Sequence, residues 1–308
     1  MTAWNLDRVR MLYQVRGDEP AEQLEEIRRA EQLGFDVAVV PDHVGHLASP
    51  VPLLSAAAAV TERIRLGTMV LNNEMRNPVQ LAWDIATLDR VAEGRVELGL
   101  GAGHTPQEFA ATGIERRSGR ERKARLAEAV EIIGPLLAGS TVDFEGEHYT
   151  VRTASILPAV QRPLPILVGG NGRELLEHAA RHADLIGLQG LGRTLADGHA
   201  HTVDWRPAHL DAQVDTITTA AAGRATPPRL SALVQVAAVT DDPAAVLDPI
   251  LDRVDGLNRA DADEIPYLLV GTVDQILAKI ERIQARWGIA DLVVRELDGF
   301  ATVVEALR

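Results

Sequence analysis

The chain has 308 residues, 46% of them hydrophobic and 24% charged, a mix able to bury a sizeable core. Its formal net charge is −13 and it has two lysines, Lys123 and Lys279, so there is no basic stripe to neutralise phosphates and nucleic acid is not an expected partner. The absence of cysteine excludes disulfides, a thiolate nucleophile and Cys-ligated metal, and it fits a cytoplasmic location.

Asp7, Arg8 and Arg10 stand where a signal peptide needs an unbroken apolar run. The longest apolar run, residues 51–60, is about half a membrane span and is interrupted by Pro52 and Ser55, so no membrane partner is expected.

Residues 9–15 have β-type composition, and Pro20 then opens a helix over 21–33 whose apolar positions Leu24, Ile27, Ala30 and Leu33 form one buried face. Gly34 stops it, and 37–40 is a short, wholly apolar run suited to a buried parallel strand. The cycle repeats with helix 53–60, strand 64–71, helix 79–91 and strand 95–100. A longer excursion holds a helix over 120–137 and a polar hairpin over 141–151. Strand 166–168, helix 173–182 and strand 185–188 follow, then a loop insertion over 190–206 rich in Gly, His and Thr. Helix 207–222, strand 230–239, helix 244–254, helix 273–287 and strand 292–295 complete the chain.

Eight strands alternating with helices predict a parallel sheet. Two Rossmann halves would place G-x-G-x-x-G after the first strand, where this chain has Val15-Arg16-Gly17-Asp18. The expectation is therefore an α/β protein folded as a single (β/α)₈ TIM barrel over 1–308, with insertions around 104–162 and 189–206.

Functional residues of such a barrel follow the strands at its top face. The second strand ends in Pro41-Asp42-His43, with His46 nearby. A histidine titrates near neutral pH, and a neighbouring carboxylate fixes its tautomer or raises its pKa; the plainer alternative is a capped turn. Asn72 and Asn73 after the third strand are either turn formers or amide partners for a planar heterocycle. The fourth strand runs into Gly99-Leu100-Gly101-Ala102-Gly103-His104, where glycines admit something flat or another backbone. Gly169-Gly170-Asn171-Gly172 leads straight into a helix, whose free N–H groups form an anion site suited to phosphate.

His178 and His182 have metal-ligand spacing, but they lie on an outer helix without the intervening Glu of H-E-x-x-H, so no metal site is expected. His199-Ala200-His201 reads as a solvated segment, and Asp241-Asp242-Pro243 as a helix start. No G-x-S-x-G supports serine hydrolase chemistry, and Asp42, Asp241 and Glu296 form no clear carboxylate pair for a barrel hydrolase.

Five stretches, in family order, resemble the bacterial luciferase-like family of flavin and deazaflavin oxidoreductases. They are AEQLGFDVAVVPDH (30–43), RIRLGTMVLNNEMRNP (63–78), TLDRVAEGRVELGLGAG (87–103), PILVGG with a helix ending ARHAD (165–184), and LVGT through WGIADL (269–292). Within the family the chain looks most like the actinobacterial branch that uses coenzyme F420.

The resemblance implies a barrel, often a homodimer, with the cofactor ring in its top face. Asp42 and His43 would sit against the ring, with His43 the proton donor or acceptor to a small-molecule substrate and Asp42 and His104 further catalytic candidates. Met69-Val70 falls where relatives have a non-prolyl cis peptide, and Gly169 and Gly170 where they bind the cofactor tail. Asn72, Gly101, Gly103, Asn171 and Gly172 complete the expected cofactor contacts. Some relatives place a glutamate at the position where this chain has His104. F420-dependent hydride transfer is the favoured reading; an FMN-dependent monooxygenase and a non-catalytic flavin-binding barrel are the alternatives.

Overall fold

The computed structural model describes residues 8–45, 47–194 and 201–308. The barrel strands are β1 Arg10–Gln14, β2 Val37–Val40, β3 Arg65–Thr68, β4 Val96–Gly101, β5 Ile166–Gly169, β6 Leu185–Leu188, β7 Arg229–Leu233 and β8 Ile289–Val294. Every neighbouring pair is parallel, from Leu12 opposite Val37 through Leu167 opposite Leu185 to Leu233 opposite Val293 and Leu12 opposite Val293. β3 also pairs with β4, at Leu66–Val96 and Gly67–Glu97, which closes the sheet into a (β/α)₈ TIM barrel.

The strands are short and apolar because both faces are covered. Leu12, Val37, Val39, Leu167, Leu185, Leu233 and Val293 fill the barrel interior. Their alternate neighbours, including Met11, Tyr13, Ala38, Val40, Val168, Ile186 and Leu292, pack outward against the helices.

Helices α1 Pro20–Leu33, α2 Pro50–Val60, α3 Pro78–Val91, α4 Pro106–Thr112, α5 Gly119–Ala138, α6 Arg173–His182, α7 Pro207–Ala220, α8 Pro243–Arg253, α9 Arg259–Glu264, α10 Val273–Trp287 and α11 Ala301–Ala306 follow in order. Proline opens α1, α2, α3, α4, α7 and α8, where its missing N–H costs nothing. That is why α2 begins at Pro50 rather than at 53. Asp242 caps α8 as expected, accepting from Ala245 N. None of the described helices is long and apolar enough to cross a membrane.

Two expected strands are divided. Residues 64–71 split because the chain leaves the ladder at Met69–Val70, a non-prolyl cis peptide, before Leu71–Asn72 rejoins β4 at Leu100 and Gly101. Residues 230–239 split after β7: Gln235 N and Val236 N both turn to Tyr267 O, and Val236–Val239 pairs with Leu268–Gly271 outside the barrel. A second apolar cluster, with Trp205, Leu247, Ile250 and Tyr267, packs there.

The segment between β4 and β5 holds α4, α5 and the expected hairpin, Val142–Glu145 with Thr150–Ala154. Glu74, its side chain fully buried, ties this insertion to the barrel through Arg117 and Arg125. In the insertion after β6, Leu191–Thr194 pairs antiparallel with His201–Val203.

The barrel's lower end is plugged by charge. Arg10 bridges Glu97 and Asp291, Arg65 also reaches Glu97, and Arg229 also reaches Asp291. Burial opposes the ionisation of Glu97, but Arg10 and Arg65 outweigh it and lower its pKa.

Lys279 of α10 is buried and donates to Ala262 O and Leu268 O. Burial lowers its pKa to about 7. The unfolded chain therefore binds the proton more tightly than the native one, and stability should rise from pH 7 towards about 10, the unfolded lysine range. Above that, the buried Tyr13 and Tyr267, whose pKa values are raised, reverse the slope. Urea unfolding of the parent and Lys279→Met across this range tests the assignment; an equal slope in both proteins contradicts it.

Candidate active site

At the strands' C-terminal ends lies a cavity of about 1740 Å³, lined by residues following all eight strands, with His43, Asn72, Gly101, Gly170, Gln235 and Arg295 among them. It exceeds the usual volume of a single small-ligand pocket, roughly 300–1,000 Å³.

One wall is the bulge at Val70. A Cβ on Gly99 would lie 2.0 Å from Thr68 O, and one on Gly101 would lie 2.5 Å from Val70 Cγ2. On Gly169 it would meet Val70 Cγ1 at 3.0 Å, and on Gly103, which has φ +69°, Asn72 Oδ1 at 2.2 Å. The glycines expected to admit a flat ligand therefore first admit the protein's own third strand.

Asp42 and His43 part company. The Asp42 carboxylate accepts from Asn72 N at 2.9 Å and pairs with both terminal nitrogens of Arg76, so it anchors the end of β2 to the bulge. His43 faces the cavity, with Nδ1 2.7 Å from Oε1 of Glu108 on α4. The Glu108 side chain is 6% exposed and that of His43 41% exposed, so a buried carboxylate orients an accessible imidazole.

His104 lies beside them, its ring centroid 6.1 Å from that of His43 and 5.0 Å from that of His201. His201 therefore joins the cavity wall rather than a solvated segment; His46, His199 and Ala200 lie outside the described residues. Burial, then the neighbouring His201 and His43, lowers the His104 pKa to about 4.

Asn72 combines its two expected roles. Its Oδ1 accepts from Glu74 N and shapes the turn, while its buried Nδ2 has no partner among the described residues. Asn73 turns away to Tyr149. Beyond β5, Gly170 N reaches Gly187 O and Asn171 Nδ2 donates to Leu191 O, leaving Asn171 Oδ1 buried and without a partner among the described residues. Gly172 precedes α6 without any side-chain cap, and Lys123 Nζ would lie 3.0 Å from a Cβ placed there.

Three contributors escaped sequence reasoning. Glu108 sits on a helix too short for periodicity to reveal. Arg295 follows the last strand, a position the barrel rule marks, and donates to Gln14 Oε1 at 2.6 Å and Gln235 Oε1 at 3.5 Å. Gln14, at the end of β1, in turn reaches Met69 O.

The family model described as luciferase-like monooxygenase matches residues 4–291. The chain belongs to this family. It is 41% identical over 175 residues to an F420-dependent glucose-6-phosphate dehydrogenase of Beutenbergia cavernae, an alignment covering 54% of this chain and 52% of that protein. The chain spans about half the length of the curated relatives it matches.

Among solved structures, an F420-dependent secondary alcohol dehydrogenase in complex with an F420–acetone adduct superposes with a TM-score of 0.76 at 20% identity, covering 98% of this chain and 99% of that one. A monooxygenase from Streptomyces bottropensis gives 0.74 at 24% identity, covering 96% of each chain. At such identities the likeness establishes the fold.

Because the native His104 binds its proton more weakly than an unfolded histidine, whose pKa is about 6.5, it should remove stability as pH falls from about 6.5 towards 4. NMR titration of the His104 ring should give a midpoint near pH 4; a midpoint above 6 would show that the ring is solvated or paired with a carboxylate.

Proposed function

We propose that the chain is a single barrel domain acting as an F420-dependent oxidoreductase, transferring hydride to or from a small organic substrate, with His43 as the proton donor or acceptor. The observation that carries this reading is the His43–Glu108 hydrogen bond at the cavity wall. When bound, F420 supplies a carbon at ring position 5 that gives or takes hydride. Moving a hydride between carbon and a carbonyl or alcohol also requires a proton at the substrate oxygen. His43 is exposed enough to reach that oxygen, and Glu108 holds its ring in place through Nδ1.

The residues present fit the cofactor. Val70 offers an apolar surface backed by Gly101 and Gly169, and Asn72 Nδ2 is a buried donor in need of an acceptor. The uncapped N-terminus of α6, with Gly172 and Lys123, suits a phosphate. Arg120 and Lys123, which have no acidic partner among the described residues, extend the positive charge along the cavity rim. F420 carries glutamate carboxylates beyond its phosphate, whereas FMN ends at the phosphate, so this rim favours F420. Asp42, through Arg76 and Asn72, positions the wall rather than moving protons. His104, neutral at physiological pH, serves as a hydrogen-bonding group of the substrate wall, not as a replacement carboxylate. The cofactors and substrates named for the relatives support the same class.

Parallel titrations should show F420 binding about tenfold or more tighter than FMN. Binding of FMN alone would move the reading to a monooxygenase, and binding of neither would favour a non-catalytic barrel. With F420 bound, glucose 6-phosphate and secondary alcohols are the first substrates to assay. For whichever turns over, His43→Ala should keep cofactor affinity and lose about 100-fold in kcat, with Glu108→Gln losing less; unchanged turnover removes His43 from the mechanism.

We further propose a homodimer formed through α3, where Trp83 is 60% and Val91 53% exposed. Exposed aromatic residues of this size are enriched at interfaces. Light scattering should give twice the chain mass for the parent and the chain mass for a folded Trp83→Asp; a monomeric parent refutes the proposal.

A further inference from the structure

Away from the cavity, α5 and α6 bring three donor groups together. Glu131 belongs to α5, and His178 and His182 are one turn apart on α6. The two imidazoles stack with centroids 4.4 Å apart and an interplanar angle of 20°. One ligand atom from each of the three residues lies within 4.8 Å of the others, and among the described residues this is the one such group of histidine and acidic side chains.

His178 Nε2 supplies the second observation. It is buried and has no hydrogen-bond partner among the described residues, and the nearest acidic oxygen among them, Glu131 Oε1, is 3.9 Å away, beyond hydrogen-bond reach. A buried ring nitrogen left without a partner is costly unless something occupies it.

We propose that Glu131, His178 and His182 bind a divalent transition-metal ion, zinc being the best match, in a site that clips α5 to α6. Two neutral imidazoles and one carboxylate form an N₂O donor set with a single negative charge, which suits zinc and leaves a fourth position for water. Tetrahedral zinc needs ligand atoms about 3.3 Å apart. Glu131 and His182 are both exposed, so their side chains are free to close the present spacing around the fixed His178.

The absence of a glutamate between the two histidines is no obstacle, because the third ligand comes from the neighbouring helix. The site does not depend on the proposed redox function.

The test uses the full chain without an affinity tag, stripped with chelator and titrated with zinc chloride by calorimetry and thermal unfolding. One equivalent should bind per chain and raise Tm. His182→Ala and Glu131→Gln should each weaken this binding by about tenfold or more while leaving the metal-free Tm unchanged, and His43→Ala should leave it intact. Absence of saturable binding, equal affinity in parent and His182→Ala, or loss of binding only in His43→Ala would overturn the proposal.

Discussion

The close approach of β3 to β4 at Thr68–Val70 is the constraint on which the top of this barrel depends. Parallel pairing holds β3 beside β4 as far as Gly67, after which the chain steps inward and presents Val70 to the lumen side. That step is possible only because Gly99, Gly101 and Gly169 have no side chains to meet Thr68 O and the Val70 methyl groups. An alanine at Gly99 would have to displace backbone rather than a flexible side chain, so the protein cannot relax around it. Once the bulge is placed, Asn72 is held over Gly103, and Asn72 N in turn holds the Asp42 carboxylate. The end of β2, and His43 with it, is thus located by the geometry of the third and fourth strands.

Charge is divided between the two ends of the barrel according to task. Below, Arg10, Arg65 and Arg229 are satisfied by Glu97 and Asp291, and ion pairs of this kind lose heavily if one partner is removed. Above, Arg295 is held by the amides of Gln14 and Gln235 instead of a carboxylate, and Lys123 faces the open start of α6. Positive charge without a carboxylate partner therefore lines the cavity of a protein that is acidic overall. The histidines follow the same division: His43 is coupled to a carboxylate, while burial keeps His104 neutral only a ring's width away.

Much of the framework was legible because buried parallel strands and amphipathic helices leave periodic marks. The runs at 37–40 and 185–188 and the helix at 173–182 match the structure residue for residue, and Asp242 caps its helix as its position before Pro243 implies. The strand over 230–239 was legible as β but not as two strands in different sheets, since both halves are equally apolar and the switch at Gln235 depends on Tyr267, distant in sequence. Likewise Asp42 and His43 were marked as one dipeptide, yet adjacent residues at a strand end point in different directions and joined separate networks.

By itself the sequence determined the barrel, the strand ends that carry polar residues, and the membership expected from its motifs, because these depend on local period, turn chemistry and order along the chain. Tertiary structure decided the partners. Glu108 meets His43 from 65 positions further along the chain, Arg76 reaches back to Asp42, His201 folds over His104, and Glu131 approaches His178 from another helix. No local pattern encodes such pairs, since each distance is set by how separate elements pack around a shared core.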